Sequence, residues 1–136
     1  MTPGHPVELV RAPGLSDRAP YAYAAVAHDV SRLVFTAGAC PLDPAGNTVA
    51  PGDVSAQAQQ VMANLTDALA AAGAQLTDVV RTTVYVATQR REDLLTAWEV
   101  VRCCLGDHDA PSTLLGVSVL GYPGQLVEVE AVAALR

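Results

Sequence analysis

Through residues 53–72 apolar side chains recur every third or fourth position: Val54, Ala58, Val61, Leu65, Ala68 and Ala72. That spacing lines one face of an α-helix. Asp53 stands where a capping side chain belongs, and Gly73 where a left-handed residue ends the helix. A second helix is predicted over residues 91–105, with Leu94, Trp98, Val101 and Leu105 as its inward stripe. Glu92 and Asp93 favour its first turn, and Gly106 ends it. Elsewhere the period drops to two. Residues 79–87 are rich in Val and Thr and read as a strand with Val80, Thr82, Val84 and Val86 on one face. Shorter strands are predicted at 7–10, 21–28, 32–36, 113–120 and 125–135. The tight Asp29-Val30-Ser31 connection predicts a hairpin between the second and third. Residues 40–53 are loop, punctuated by Pro41, Asp43-Pro44, Gly46-Asn47 and Pro51-Gly52, and Gly121-Tyr122-Pro123-Gly124 is a turn.

The order β-β-β-α-β-α-β-β describes a single α+β domain spanning residues 1–136, with two helices packed on one face of a mixed sheet. The other face, where Val alternates with Thr, Tyr and Glu, needs a cover. Hydrophobic residues make up 51% of the chain and charged residues 16%, and this excess of apolar surface points to oligomerisation.

A net charge of −6 argues against nucleic acid or an anionic membrane as a general partner. No apolar run approaches the roughly 18–20 residues that span a bilayer. Residues 1–13 carry neither an apolar core segment nor a cleavage signature, so a cytoplasmic protein is expected. Cys40, Cys103 and Cys104 are an odd set without C-x-x-C spacing. Cys103 and Cys104 read as small apolar fillers on the second helix, and a catalytic thiol at Cys40 stays open as an alternative. His5, His28 and His108 lie far apart, which disfavours a metal site. Trp98 falls on the apolar stripe and reads as core.

The last strand carries the chemistry. In Leu126-Val127-Glu128-Val129-Glu130-Ala131-Val132-Ala133, Glu128, Glu130 and Val132 share one face and the intervening residues the other. Two carboxylates about 7 Å apart on one face require water, a cationic partner or a ligand. The strand therefore either turns a polar face to solvent or lines a cleft in which one carboxylate reacts.

Several segments, in order along nearly the whole chain, resemble the RidA/YjgF family, also labelled endoribonuclease L-PSP. They are Ala19-Pro20-Tyr21; Leu33-Val34-Phe35-Thr36-Ala37-Gly38 followed by Pro41-Leu42-Asp43-Pro44; residues 57–73; Asp78-Val79-Val80-Arg81-Thr82-Thr83-Val84-Tyr85-Val86; and the last strand. The resemblance implies a chorismate-mutase-like (RidA-like) fold in a homotrimer, whose sheets close a central barrel with a small-molecule cleft at each subunit interface. It implies hydrolysis of reactive enamines and imines without metal or cofactor. Carried over residue by residue, it makes Glu128 the group that positions the attacking water and Tyr21 a frame for the neighbouring subunit's cleft. Gly38 becomes the glycine whose backbone approaches the ligand. Beside these, Ser112, Thr113 and Tyr85 are expected as further ligand contacts. The family's carboxylate-binding arginine is missing: where its pattern reads Pro-Ala-Arg-Thr or Pro-Ala-Arg-Ser, this chain has Ala110-Pro111-Ser112-Thr113. Arg81 replaces it only if its strand face points into the cleft. The expected function is an imine or enamine deaminase-type hydrolase with an atypical site; the alternative is a non-catalytic trimeric metabolite-binding protein. A ribonuclease fits the acidic charge poorly.

Overall fold

In a computed structural model the described residues are 5–136; residues 1–4, the start of the segment read as lacking an export signal, lie outside them. The elements are β1 (Val7–Val10), β2 (Ala24–Ala27), β3 (Arg32–Phe35), α1 (Val54–Ala71), a 3-10 turn (Leu76–Asp78), β4 (Val79–Ala87), α2 (Arg91–Leu105), β5 (Ser112–Val117) and β6 (Val127–Leu135). Their order is the one the sequence predicts, and the architecture is α+β.

Asp53 caps α1 by accepting from the Ala56 amide at 2.9 Å, and Gly73 leaves the helix at φ +84°. Val61, Met62, Leu65 and Leu69 of α1 and Ala97, Trp98, Val101 and Leu105 of α2 are buried. They pack on the inward residues of the sheet, among them Val84, Val86, Val127, Val129, Ala131 and Ala133. Cys103 and Cys104 lie on α2 but are exposed rather than filling the core, because Val101 and Leu105 already turn its inward face to the sheet.

The main sheet runs β3-β6-β4-β5, and β1-β2 forms a separate two-stranded ribbon. β4 and β5 are parallel and are joined by α2, the crossover a parallel pair requires. The expected hairpin between the second and third strands does not form. β2 pairs antiparallel with β1, and β3 pairs with β6 from Arg32↔Leu135 to Phe35↔Val132. Asp29, at φ 51°, lets the chain step from one sheet to the other, and the Ser31 amide already donates to Leu135 O at 2.9 Å. The physical reason lies in β6, whose inward residues are wholly buried: without β3 it would bury an unpaired backbone edge. A bulge between Val79 and Arg81 changes the parity of β4, so Val79 rather than Val80 is buried beside Thr82, Val84 and Val86.

The helices leave one sheet face bare. Cross-strand pairs Arg81↔Val132, Thr83↔Glu130 and Tyr85↔Glu128 put these side chains on it. Phe35 is 71% exposed and Leu33 54%. A shallow groove of about 430 Å³ lies over this face, lined by Phe35, Arg81, Thr83, Tyr85, Thr113 and Glu130 among others.

α1 also carries a polar row beside its apolar stripe. The fully buried Gln57 accepts from the Leu126 amide at 2.7 Å and donates to Gly124 O at 2.9 Å, fixing the loop that feeds β6. Asn64, two turns on, donates to Cys40 O at 2.8 Å and Leu42 O at 2.9 Å, fixing the loop that follows β3. Gln57→Ala takes the side-chain partner from the part-buried Leu126 amide and Gly124 carbonyl and empties a buried site, and we expect a loss of about 1–3 kcal/mol in urea unfolding with helix content retained.

Candidate functional site

Glu128 lies between the wholly buried Val127 and Val129 on β6, and its side chain emerges half-buried on the bare face. The residues after β3 continue along β6. Thr36 donates its amide to Ala131 O at 3.0 Å, and Ala39 exchanges backbone hydrogen bonds with Val129 at 2.7 and 3.2 Å. Gly38 is thereby laid against the Glu128 carboxylate, where a Cβ would collide with Oε2. The close approach expected of this glycine is therefore made to the glutamate itself.

The carboxylate is held at its other oxygen. Oε1 accepts from Gln125 Nε2 at 3.1 Å and from Cys40 Sγ at 3.3 Å. Gln125 is itself buried and fixed, since Nε2 also donates to Val127 O and Oε1 accepts from the Tyr122 amide, both at 3.1 Å. Burial pushes the Cys40 thiol up to about 11, helped by the hydrogen bond and the negative charge of Glu128, while Gln125 acts slightly the other way. At neutral pH Cys40 is a protonated donor, which removes the thiolate that a nucleophilic role needs.

Tyr21, Ser112 and Thr113 meet elsewhere. With Tyr23, Arg81 and Pro111 they line a depression of about 240 Å³. Tyr21 packs edge-on against Trp98 at 5.9 Å and Tyr23 at 6.3 Å. Ala22, beside it, donates its amide to Asp109 O at 2.8 Å. Ser112 is opposite Thr82 and accepts its hydroxyl proton at 2.7 Å; Thr113 is opposite Thr83 on the bare face. Arg81 lines both this depression and the groove over the sheet.

Tyr85 stands between the two groups, paired with Glu128 across β4 and β6. Its hydroxyl donates to Glu130 Oε1 at 2.6 Å, and that hydrogen bond, followed by burial, raises the phenol above its ordinary value. Glu130 thus has a neutral donor as partner. From Glu128 to Ser112 is three residues along the strands and two strands across, about 14 Å by strand geometry. Of the six candidates, one chain brings Gly38 to Glu128 and Tyr21 to Ser112 and Thr113, but does not join the two groups.

The histidines are engaged separately: His5 with Asp78 at 3.2 Å, His28 with Glu8 at 2.7 Å, and His108 Nε2 with Val79 O at 2.7 Å. Among the described residues no three His, Cys, Asp or Glu side chains gather as a metal would need, and no helix is long and apolar enough to cross a membrane. Sequence reading missed Gln57, Asn64 and Gln125. For the first two a signal existed: amides at positions 57, 60 and 64 follow the same helical period as the apolar stripe they flank.

Residues 14–135 match the protein-family model described as endoribonuclease L-PSP. Protein DfrA of Myxococcus xanthus is 39% identical over 124 residues, covering 87% of this chain and 91% of that protein. The 2-iminobutanoate/2-iminopropanoate deaminase of Salmonella typhimurium is 34% identical over 110 residues, covering 79% and 84%. The Rid-family protein YyfB of Yersinia pestis has a solved structure that superposes with a TM-score of 0.86, at 29% identity, over 96% of this chain and 99% of that one. With helices, mixed sheet and matched segments agreeing along nearly its whole length, this chain belongs to the endoribonuclease L-PSP family, which also goes by the names RidA and YjgF.

Proposed function

We propose that the protein hydrolyses a small imine or enamine, without metal or cofactor, in a cleft built between copies of a homotrimer. The observation that carries this reading is the Glu128 carboxylate, fixed at Oε1 on a sheet face that its own helices leave uncovered. Relatives named as imine deaminases support the reaction class. The separation of Glu128 and Gly38 from Tyr21, Ser112 and Thr113 supports a second copy completing the site.

In the reaction the carboxylate accepts a proton from water as the water oxygen bonds to the imine carbon. The C=N electron pair passes to nitrogen, which takes up a proton, and the resulting carbinolamine expels ammonia to leave a carbonyl. Each imine and water give one carbonyl compound and one ammonia. The alternative reading, a trimer that holds a metabolite without turning it over, uses the same cleft and is separated by assaying ammonia.

Where the family has its arginine this chain has Ser112, or Pro111 if the segments match with a one-residue gap. Ser112 offers one neutral hydroxyl, already bonded to Thr82, and Pro111 no side-chain donor, where a guanidinium would give a carboxylate two charge-assisted contacts. Side by side with a relative that carries the arginine, hydrolysis of 2-iminopropanoate should be slower by about ten- to a hundredfold. Equal rates would show that the substrate carboxylate is held another way.

Two further outcomes follow from the same reading. Glu128→Gln removes the charge and keeps the shape, and ammonia release should disappear while the oligomer stays intact; turnover at the parent rate would remove Glu128 from the reaction. Light scattering behind size exclusion should give about three times 14.1 kDa down to low micromolar concentration. A monomer there contradicts the composite cleft.

A further inference from the structure

Glu128 has two oxygens in unlike surroundings. Oε1 receives an amide proton from Gln125 and a thiol proton from Cys40, at 3.1 and 3.3 Å. Oε2 packs against Gly38, where a Cβ would collide with it, and takes no hydrogen bond from the described residues. Both donors are fixed from behind. Gln125 is tied to Val127 O and to the Tyr122 amide. The backbone of Cys40 is tied to Asn64 of α1, and Gly38 O, 3.4 Å from the thiol, is a second and slightly more distant acceptor for its single proton.

We propose that Cys40 and Gln125 are positioning residues that anchor Oε1, leaving Oε2 as the oxygen that meets the ligand and exchanges its proton. The inference rests on the hydrolytic reading for its consequence, but the anchoring itself is a property of the free protein. A carboxylate on a strand rotates about its last torsion with a broad, nearly two-fold preference, which makes its two oxygens interchangeable. Two donors converging on one oxygen remove that freedom. They occupy lone pairs of Oε1, so Oε2 is the oxygen left to accept a proton from water. The thiol suits this task because it stays protonated: a thiolate at the same place would accept rather than donate, and would repel the carboxylate.

The test separates the anchor from the catalysis. In a Cys103→Ser, Cys104→Ser background, which removes the exposed thiols, iodoacetamide alkylation of Cys40 is followed at pH 8–9 with and without Glu128→Gln. Removing the negative partner should raise the thiolate fraction and speed alkylation by about three- to tenfold. An unchanged rate would mean that Cys40 does not sense the carboxylate, and the proposal fails. In the second arm, ammonia release from 2-iminopropanoate is compared for Cys40→Ala and Cys40→Ser. The alanine variant should lose several-fold in kcat at constant KM, and serine, which still donates a proton to Oε1, should restore it. Equal kcat in the two variants overturns the positioning role. If no variant, nor the parent, releases ammonia while the alkylation arm behaves as expected, the anchor stands and the hydrolytic reading is the one that fails.

Discussion

A glutamate near the start of a strand, between two wholly buried valines, sets the terms for everything near it. Its carboxylate cannot face the core, so β6 must turn alternate residues toward a face the helices do not cover. It needs donors that do not compete for its proton, and the chain supplies an amide and a thiol rather than a guanidinium. It needs room, and Gly38 provides it by having no Cβ. These three demands explain why two loops distant in sequence, one after β3 and one before β6, come together beside a single side chain.

What holds those loops is α1. Its apolar stripe builds the core, and the adjoining row of amides reaches past the core edge: Gln57 to the loop before β6, Asn64 to the loop after β3, with Gln60 donating to Asn64 at 2.9 Å. Buried amides of this kind are costly unless fully partnered, and no buried side-chain polar atom among the described residues lacks a partner. The helix that gives the domain its stability thus also sets the geometry of the candidate site, so disturbing the row should move Glu128 before it unfolds the protein.

Helices, element order and the two-faced last strand were legible because each rests on local periodicity. The 3.6-residue spacing in α1 and α2 and the alternation around Glu128 and Glu130 are visible without any partner strand. The pairing of β3 was not, because the choice between β2 and β6 is decided by which long strand would otherwise bury an open edge, a non-local cost. The bulge at Val80 hid in a run of β-branched residues where either parity looks apolar. Cys103 and Cys104 look like filler by composition, and only the position of α2 on the sheet shows that they face outward. For the candidate site, Glu128 stood out as a carboxylate in an apolar strand. Gln125 did not, and Cys40 stood out only as a possible nucleophile, since a turn-side amide and a loop thiol acquire a positioning role only from the oxygen they meet.

The bare face carries a hydrogen-bonded pair in Tyr85 and Glu130, a cation in Arg81, and the exposed Phe35 and Leu33. It suits a second copy of the chain better than water. The proposed cleft is complete only with that copy in place. The direct measurement is a mixing experiment with Glu128→Gln and Tyr21→Ala, each expected to be inactive alone, unfolded together and refolded as mixed oligomers. If Glu128 of one copy works with Tyr21 of the next, about a quarter of the clefts in an equal mixture regain both groups, and ammonia release returns to about that fraction of the parent rate. A mixture as inactive as its two components would contradict the account, because it would place both residues in the same chain's site or outside any site at all.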